Sequence, residues 1–241
     1  MEPRPVVLVV EHESACPPAH FGTWLTDAGA ELRICRPWAG DEVPDLAGVH
    51  ALLVLGGSMG ANDDATCHWL GAVKDRIREA VAAGVPILGI CLGHQLVAVA
   101  LGGRSEPNPP GQQVGLFDIG WTTDAADDEL MSALATPRRG VQWNTDVVTE
   151  LPEGATALAA TPDGENQVAR FAEAAWGVQL HPEVDREVLV SWAAGDRDDH
   201  LEKGIDQEAV LDEIDAARAE LEEAWRPLAT RFAELAGRRR R

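Results

Sequence analysis

Three short apolar runs, Val6-Val7-Leu8-Val9-Val10, Ala51-Leu52-Leu53-Val54-Leu55 and Val85-Pro86-Ile87-Leu88-Gly89-Ile90, punctuate the first half of the chain. None shows the apolar-polar alternation of a strand with one wet face, so they read as strands buried on both faces of a parallel sheet. Parallel strands need crossovers, and the segments between them carry a helical period. Phe21 to Ala28 is one; in the other, Cys67 to Ala83, Trp69, Leu70, Val73, Ile77, Ala80 and Val81 recur at three- and four-residue steps. This alternation predicts an α/β fold with an open, mostly parallel central sheet and helices on both faces. Such sheets bind ligands at the carboxyl ends of their strands, so the residues just after each run carry the search for function.

The pattern changes after Pro109-Pro110-Gly111. Short apolar stretches such as Val114 to Trp121 suggest a small antiparallel side sheet, and Thr156–Ala160, Gln167–Ala172 and Ala175–Leu180 read as further strands. Beyond Asp185 the chain turns helical and acidic. Between Asp206 and Leu235, Val210, Ile214, Ala217, Leu221, Trp225, Leu228, Phe232 and Leu235 mark one apolar face, which Pro227 is expected to interrupt or kink. The expected organisation is an α/β domain over residues 1–195 and an acidic helical extension over 196–241, packed on or beside it.

Charge narrows the partners. Forty acidic against 20 basic residues give a net charge of −20, which repels a nucleic-acid backbone. The basic tail Arg238-Arg239-Arg240-Arg241 reads as a solvated end. No run is long enough to span a membrane, and Met1-Glu2-Pro3-Arg4-Pro5 lacks a signal-peptide core. Cys16, Cys35, Cys67 and Cys91 show no C-x-x-C spacing and no disulfide framework, so free thiols in a reducing cytoplasm are expected.

Only Cys91 has the surroundings of a nucleophile. In Gly89-Ile90-Cys91-Leu92-Gly93-His94-Gln95 a buried strand runs into a helix with cysteine at the turn. A side chain on so sharp a turn is lifted clear of the sheet, and Gly89 and Gly93 let the backbones pass closely. The helix N-terminus behind the sulfur favours negative charge there. A thiol also needs a base, and Trp176-Gly177-Val178-Gln179-Leu180-His181-Pro182-Glu183 ends a strand in one. Residues two apart in an extended segment project to one side, so Glu183 can hold one ring nitrogen of His181 while the other faces Cys91. A third segment, Gly56-Gly57-Ser58-Met59-Gly60, follows another strand on the same rim. Its Gly57 amide and that of Leu92 are the natural oxyanion donors. No Gly-Lys-Ser/Thr follows, so the loop is not a phosphate-binding P-loop.

Taken together, Gly-Ile-Cys-Leu-Gly-His-Gln at 89–95, His-Pro-Glu at 181–183 and Gly-Gly-Ser-Met at 56–59 resemble the class I, triad-type glutamine amidotransferases. The likeness spans roughly residues 5 to 195 and is nearest to stand-alone, GMP-synthase-like members with a helical C-terminal extension. The resemblance implies hydrolysis of glutamine through a cysteine thioester, giving glutamate and ammonia for an acceptor. By matched position it implies Cys91 as nucleophile, His181 as general base and acid, Glu183 as its orienter, Gly57 and Leu92 as oxyanion donors, and Gln95 as a glutamine contact. It requires neither cofactor nor metal. Where such members read Trp-His-Gly-Asp, this chain reads Trp143-Asn144-Thr145-Asp146. Trp143 and Asp146 remain as donor-binding candidates, while threonine adds a branched side chain where the family keeps the backbone bare.

Fewer than sixty residues follow Glu183, with no nucleotide fingerprint among them. A synthetase half does not fit, so either the ammonia goes to a separate acceptor synthetase or the acyl-enzyme is simply hydrolysed by water. Two alternatives stay open: hydrolysis of another γ-glutamyl amide or peptide by the same triad, and a non-catalytic assembly module. Among smaller features, Glu11-His12-Glu13, Cys16 and His20 fit no zinc spacing and read as a rim loop. His94 reads as packed against the sheet, and Trp69, Trp192 and Trp225 as core.

Overall fold

A computed structural model describes residues 4–162 and 164–239. Its central sheet has seven strands in the order β2-β1-β3-β4-β11-β10-β9. These are β1 (Val6–Val10), β2 (Glu31–Cys35), β3 (Ala51–Val54), β4 (Ile87–Ile90), β9 (Thr156–Ala160), β10 (Asn166–Ala172) and β11 (Ala175–Val178). From β2 to β11 the neighbours are parallel, and β10 and β9 add antiparallel strands at one edge. The side elements form two antiparallel pairs rather than one sheet: β5 (Arg104–Pro107) with β8 (Asp146–Glu150), and β6 (Gln113–Asp118) with β7 (Arg139–Asn144).

Alternation along each strand sorts the apolar residues into two cores. Val7, Val9 and Leu53 face α1 (Ala19–Asp27) and α7 (Arg218–Arg239), whose Phe21, Trp24, Trp225, Leu228 and Phe232 complete one cluster. Leu8, Val10, Leu52 and Val54 face α2 (Trp69–Ala82) and α3 (Leu92–Ala100) on the other side. Both faces are thus covered, which is why these strands read as unbroken apolar runs.

The acidic C-terminal stretch departs from expectation. The helix breaks at Ala217, between α6 (Gln207–Ala216) and α7, and continues through Pro227. Proline forfeits one backbone hydrogen bond, but Trp225, Leu228 and Phe232 are buried on either side of it and hold the helix through that point. Arg238 pairs with Glu129 and Arg239 donates to the Gly84 carbonyl, so this part of the basic tail is docked, while Arg240 and Arg241 lie outside the described residues. Among the described residues no helix is long and apolar enough to cross a membrane.

One contact positions the rest of the site. A Cβ on Gly93 would stand 2.0 Å from the Val54 carbonyl oxygen, and one on Gly89 would stand 2.4 Å from the Gly93 carbonyl group. Backbone meets backbone here with no flexible atom to yield, so α3 can sit on β3 and β4 only without side chains at both positions. Gly93→Ala should lower unfolding free energy by at least ~2 kcal/mol through overpacking. Urea denaturation checks this; an unchanged midpoint would contradict the packing described.

Candidate active site

Cys91 occupies the junction of β4 and α3 with φ 52° and ψ −107°. Positive φ in a non-glycine residue costs about 1–3 kcal/mol and persists only where the surroundings impose it. They do so here: the Cys91 amide donates to the Val178 carbonyl at 2.8 Å, and its own carbonyl accepts from Gln95 at 3.1 Å. The side chain is thereby turned toward a cavity of about 560 Å³ at the carboxyl ends of the strands.

His181 lies across from it. The chain leaving β11 is pinned where the His181 amide donates to the Val141 carbonyl at 2.8 Å. The ring's Nδ1 is 2.7 Å from Glu183 Oε1, and both side chains are buried. Trp192 meets the ring edge-on, with centroids 4.7 Å apart. Nε2 has no partner among the described residues. The space that a Gly56 Cβ would fill lies 3.3 Å from His181 Cε1 and 3.7 Å from Cys91 Cβ, so the two residues flank one glycine. Burial works against charge on this imidazole, but the Cys91 sulfur and the Glu183 carboxylate outweigh it and hold its pKa well above 6.5.

The loop after β3 supplies the third element. Glu13 fastens it, accepting from Ser58 N at 2.7 Å and Ser58 Oγ at 2.8 Å. Asp63 accepts from Gly60 N at 2.8 Å, and Lys74 reaches the Ala61 carbonyl at 3.0 Å. Among the described residues the Gly57 amide has no acceptor, and Leu92, first in α3, has none within the helix. Both are free to donate to an incoming oxygen.

Cys91, His181, Gly57, Gln95, Trp143 and Asp146 all border the cavity, with Glu183 behind the imidazole. Gln95 donates to the Asp146 carbonyl at 2.8 Å and to Gln179 Oε1 at 3.3 Å. Burial, and next the charge of Asp63, raise the Asp146 carboxyl. Thr145 also borders the cavity without a positive φ, so it fits where glycine's freedom is not used.

Several neighbours escaped the sequence reading. Gln179 donates to Cys91 Sγ at 3.6 Å; its only signal was a polar residue ending an apolar strand. Trp192, expected in the core, is half-buried and forms cavity wall on α4 (Arg186–Gly195), held by its Nε1 donating to the Ala15 carbonyl at 2.7 Å. Asp196, just past α4, accepts from Trp143 Nε1 at 2.8 Å. Cys16 borders the cavity too, but burial first and Glu13 second raise its thiol, which donates to Glu13 Oε1 at 3.2 Å. Trp176, adjacent in sequence to the His181 segment, is instead core, donating to the buried Asp128 at 3.0 Å. His12 accepts from Trp69 Nε1 at 3.2 Å, and His94 packs on Phe171 with centroids 5.1 Å apart.

A strand-to-helix turn that lifts a thiol toward an imidazole–carboxylate pair defines an α/β protein of the nucleophile-elbow kind. The sequence model of the class I glutamine amidotransferases matches residues 25–188, and the chain belongs to that family. It is 40% identical over 108 residues to a component of the glutamine-hydrolysing GMP synthase of Halobacterium salinarum, covering 44% of this chain and 57% of that one. The chain thus spans little more than half the length of this relative. It is 30% identical over 173 residues to γ-glutamyl peptidase 4 of Arabidopsis thaliana, covering 70% of this chain and 68% of that one. In fold it resembles a glutamine amidotransferase from Thermotoga maritima, with TM-score 0.86, 24% identity and coverage of 97% and 100%.

The histidines should separate on titration. The raised His181 adds stability in full below pH 6.5, and this is lost as pH rises through its folded value. His12, lowered by burial to about 4, and His94, lowered chiefly by burial to about 3, act oppositely: their contribution is present above pH 6.5 and fades as pH falls. Ring-proton NMR across pH 3 to 9 should show His181 titrating last and the other two remaining neutral into acid. A His181 ring titrating at or below 6.5 would contradict the electrostatics described.

Proposed function

We propose that this chain hydrolyses the side-chain amide of glutamine through a thioester on Cys91, releasing glutamate and ammonia. The observation that carries the reading is the conjunction of a strained Cys91 at the start of α3 with an unpartnered His181 Nε2 whose other nitrogen is bound to Glu183, all at one cavity. With the thiol proton held on His181 Nε2, Sγ attacks the γ-carbonyl carbon, and the amides of Gly57 and Leu92 receive the oxyanion. The ring returns that proton to the leaving nitrogen, and ammonia departs. Water, deprotonated by the same ring, then attacks the thioester, and glutamate leaves with the thiol restored. Glu183 orients the ring, while Asp146, Gln95 and Trp143 position the donor.

The Halobacterium relative is one subunit of its GMP synthase. By that likeness the ammonia passes to a separate synthetase that docks on this chain. Residues 1–195 carry the catalytic groups, and the extension of 196–241 is joined to the same core and adds Asp196 to the cavity wall. A second reading has its own support: the Arabidopsis relative is a γ-glutamyl peptidase, and this cavity has the volume of sites that enclose larger ligands.

Glutamate release from glutamine should fall to background in Cys91→Ala, a loss of at least ~10³-fold, with the fold retained. Glu183→Gln should slow it about 10²- to 10⁴-fold, since the ring loses the carboxylate that fixes its orientation and tautomer. Unaltered turnover in Cys91→Ala would refute the mechanism, as would a native chain that releases no glutamate from any γ-glutamyl donor.

A further inference from the structure

We propose that Gln179 is a further catalytic residue, whose side-chain N–H holds the negative charge of the Cys91 sulfur before attack and again as sulfur leaves the thioester; the proposal rests on the thioester reading above. Gln179 follows β11 directly and is fully buried. Residues two apart in an extended segment share a face. Gly177, two before it, is pressed against α3, with His94 Nδ1 only 2.5 Å from the space a Gly177 Cβ would fill. Gln179 accordingly reaches the first turn of that helix, where Cys91 and Gln95 stand. Its Nε2 is 3.6 Å from Cys91 Sγ, a hydrogen-bond length for an acceptor as large as sulfur.

A chain of amides with one fixed end makes this contact a donor to sulfur. A backbone carbonyl can only accept. The Asp146 carbonyl on β8 takes a bond from Gln95 Nε2 at 2.8 Å and another from Asn144 Nδ2 at 3.2 Å. Gln95 is thereby turned with its nitrogen toward β8. That same nitrogen lies 3.3 Å from the Gln179 side chain and meets its Oε1. With its oxygen spent on Gln95, Gln179 presents N–H to the sulfur. Turning over either amide alone would set oxygen against oxygen or nitrogen against nitrogen between buried side chains, where an unmet polar group is costly.

The reaction uses such a donor twice. With the thiol proton on His181 Nε2 the sulfur is an anion, and a hydrogen bond to an ion is stronger than one between neutral groups. As Sγ bonds to the γ-carbonyl carbon, its charge passes to the oxyanion at Gly57 and Leu92, and the sulfur becomes a weak acceptor. In the second half, water adds to the thioester carbon and gives one proton to His181. The carbon–sulfur bond then breaks with its electron pair returning to sulfur, where the Gln179 N–H receives it. Nothing is oxidised or reduced. Gln95, which acts on the sulfur only through Gln179, is in this respect a positioning residue.

The other charged and titratable groups around the sulfur come from separate elements. His181, with Glu183 behind it, follows β11; Glu13 and Cys16 follow β1; Asp63 follows β3; Asp146 is on β8 and Asp196 just past α4. An uncharged replacement of Gln179 removes the sulfur's own donor and alters none of these charges.

The test is the pH dependence of Cys91 alkylation by iodoacetamide, followed on the Cys91 peptide by mass spectrometry in the native chain, in Gln179→Met and in Gln179→Glu. Loss of the donor should raise the alkylation midpoint by about 1 pH unit in Gln179→Met, and the carboxylate of Gln179→Glu should raise it further. Glutamate release from glutamine should fall about tenfold in Gln179→Met on the acid side of its profile. A residue that merely ties β11 to α3 would lower the melting temperature and leave the alkylation midpoint where it is; that result would overturn the inference with the glutaminase reading standing. In the native chain, NMR of isotope-labelled glutamine side chains should show the Gln179 amide protons moving with the alkylation midpoint. Amide protons indifferent to that titration would overturn the inference even if neither variant folds. A native chain that releases no glutamate from any γ-glutamyl donor would overturn the thioester reading, and with it the catalytic role, whatever the midpoints.

Discussion

The contact of α3 with the ends of β3 and β4, backbone against backbone at Gly89 and Gly93, is the constraint from which the site follows. It brings the first turn of the helix onto the sheet's rim so abruptly that Cys91 must take up a positive φ. The strain is met by hydrogen bonds on both sides of the residue. The same junction leaves the Leu92 amide without a helical acceptor, directly beside the sulfur. A nucleophile and a donor are thus placed by one backbone arrangement.

Electrostatics then divide the titratable groups by use. His12 and His94 are buried and held neutral, one against Trp69 and the other against Phe171. His181 is equally buried yet favours its protonated form, because the Cys91 sulfur and the Glu183 carboxylate outweigh the cost of burial. A ring so balanced is suited to taking a proton in one step and returning it in the next.

The central strands and the sulfur's turn were legible because burial on both faces and close backbone approach leave strong marks in sequence: unbroken Val, Ile and Leu runs, and glycine where no side chain fits. Edge strand β2 was not, because Glu31 to Cys35 mixes exposed and half-buried residues and lacks such a run. Pro227, for a related reason, does not interrupt its helix, since propensity is local and the packing of buried Trp225, Leu228 and Phe232 is a tertiary effect. Cys91, His181 and Glu183 announced themselves by spacing within short segments. Glu13 lay on the loop read as part of the rim, but Gln179, Trp192 and Asp196 carry no such local mark, and only the folded chain brings them to one site. The altered Asn144-Thr145 pair was visible, but its tolerance became clear only from a backbone that needs no positive φ there.

The claim that one thiol of four is the nucleophile is open to direct chemical assay. The chain should be treated with the diazoketone analogue of glutamine and the modified residue located by peptide mass spectrometry. The account predicts a single adduct on Cys91, formed more slowly in the presence of glutamine, with Cys16 untouched because its thiol keeps its proton, donated to Glu13. Modification of Cys16, Cys35 or Cys67 in place of Cys91, or no adduct at all, would contradict it.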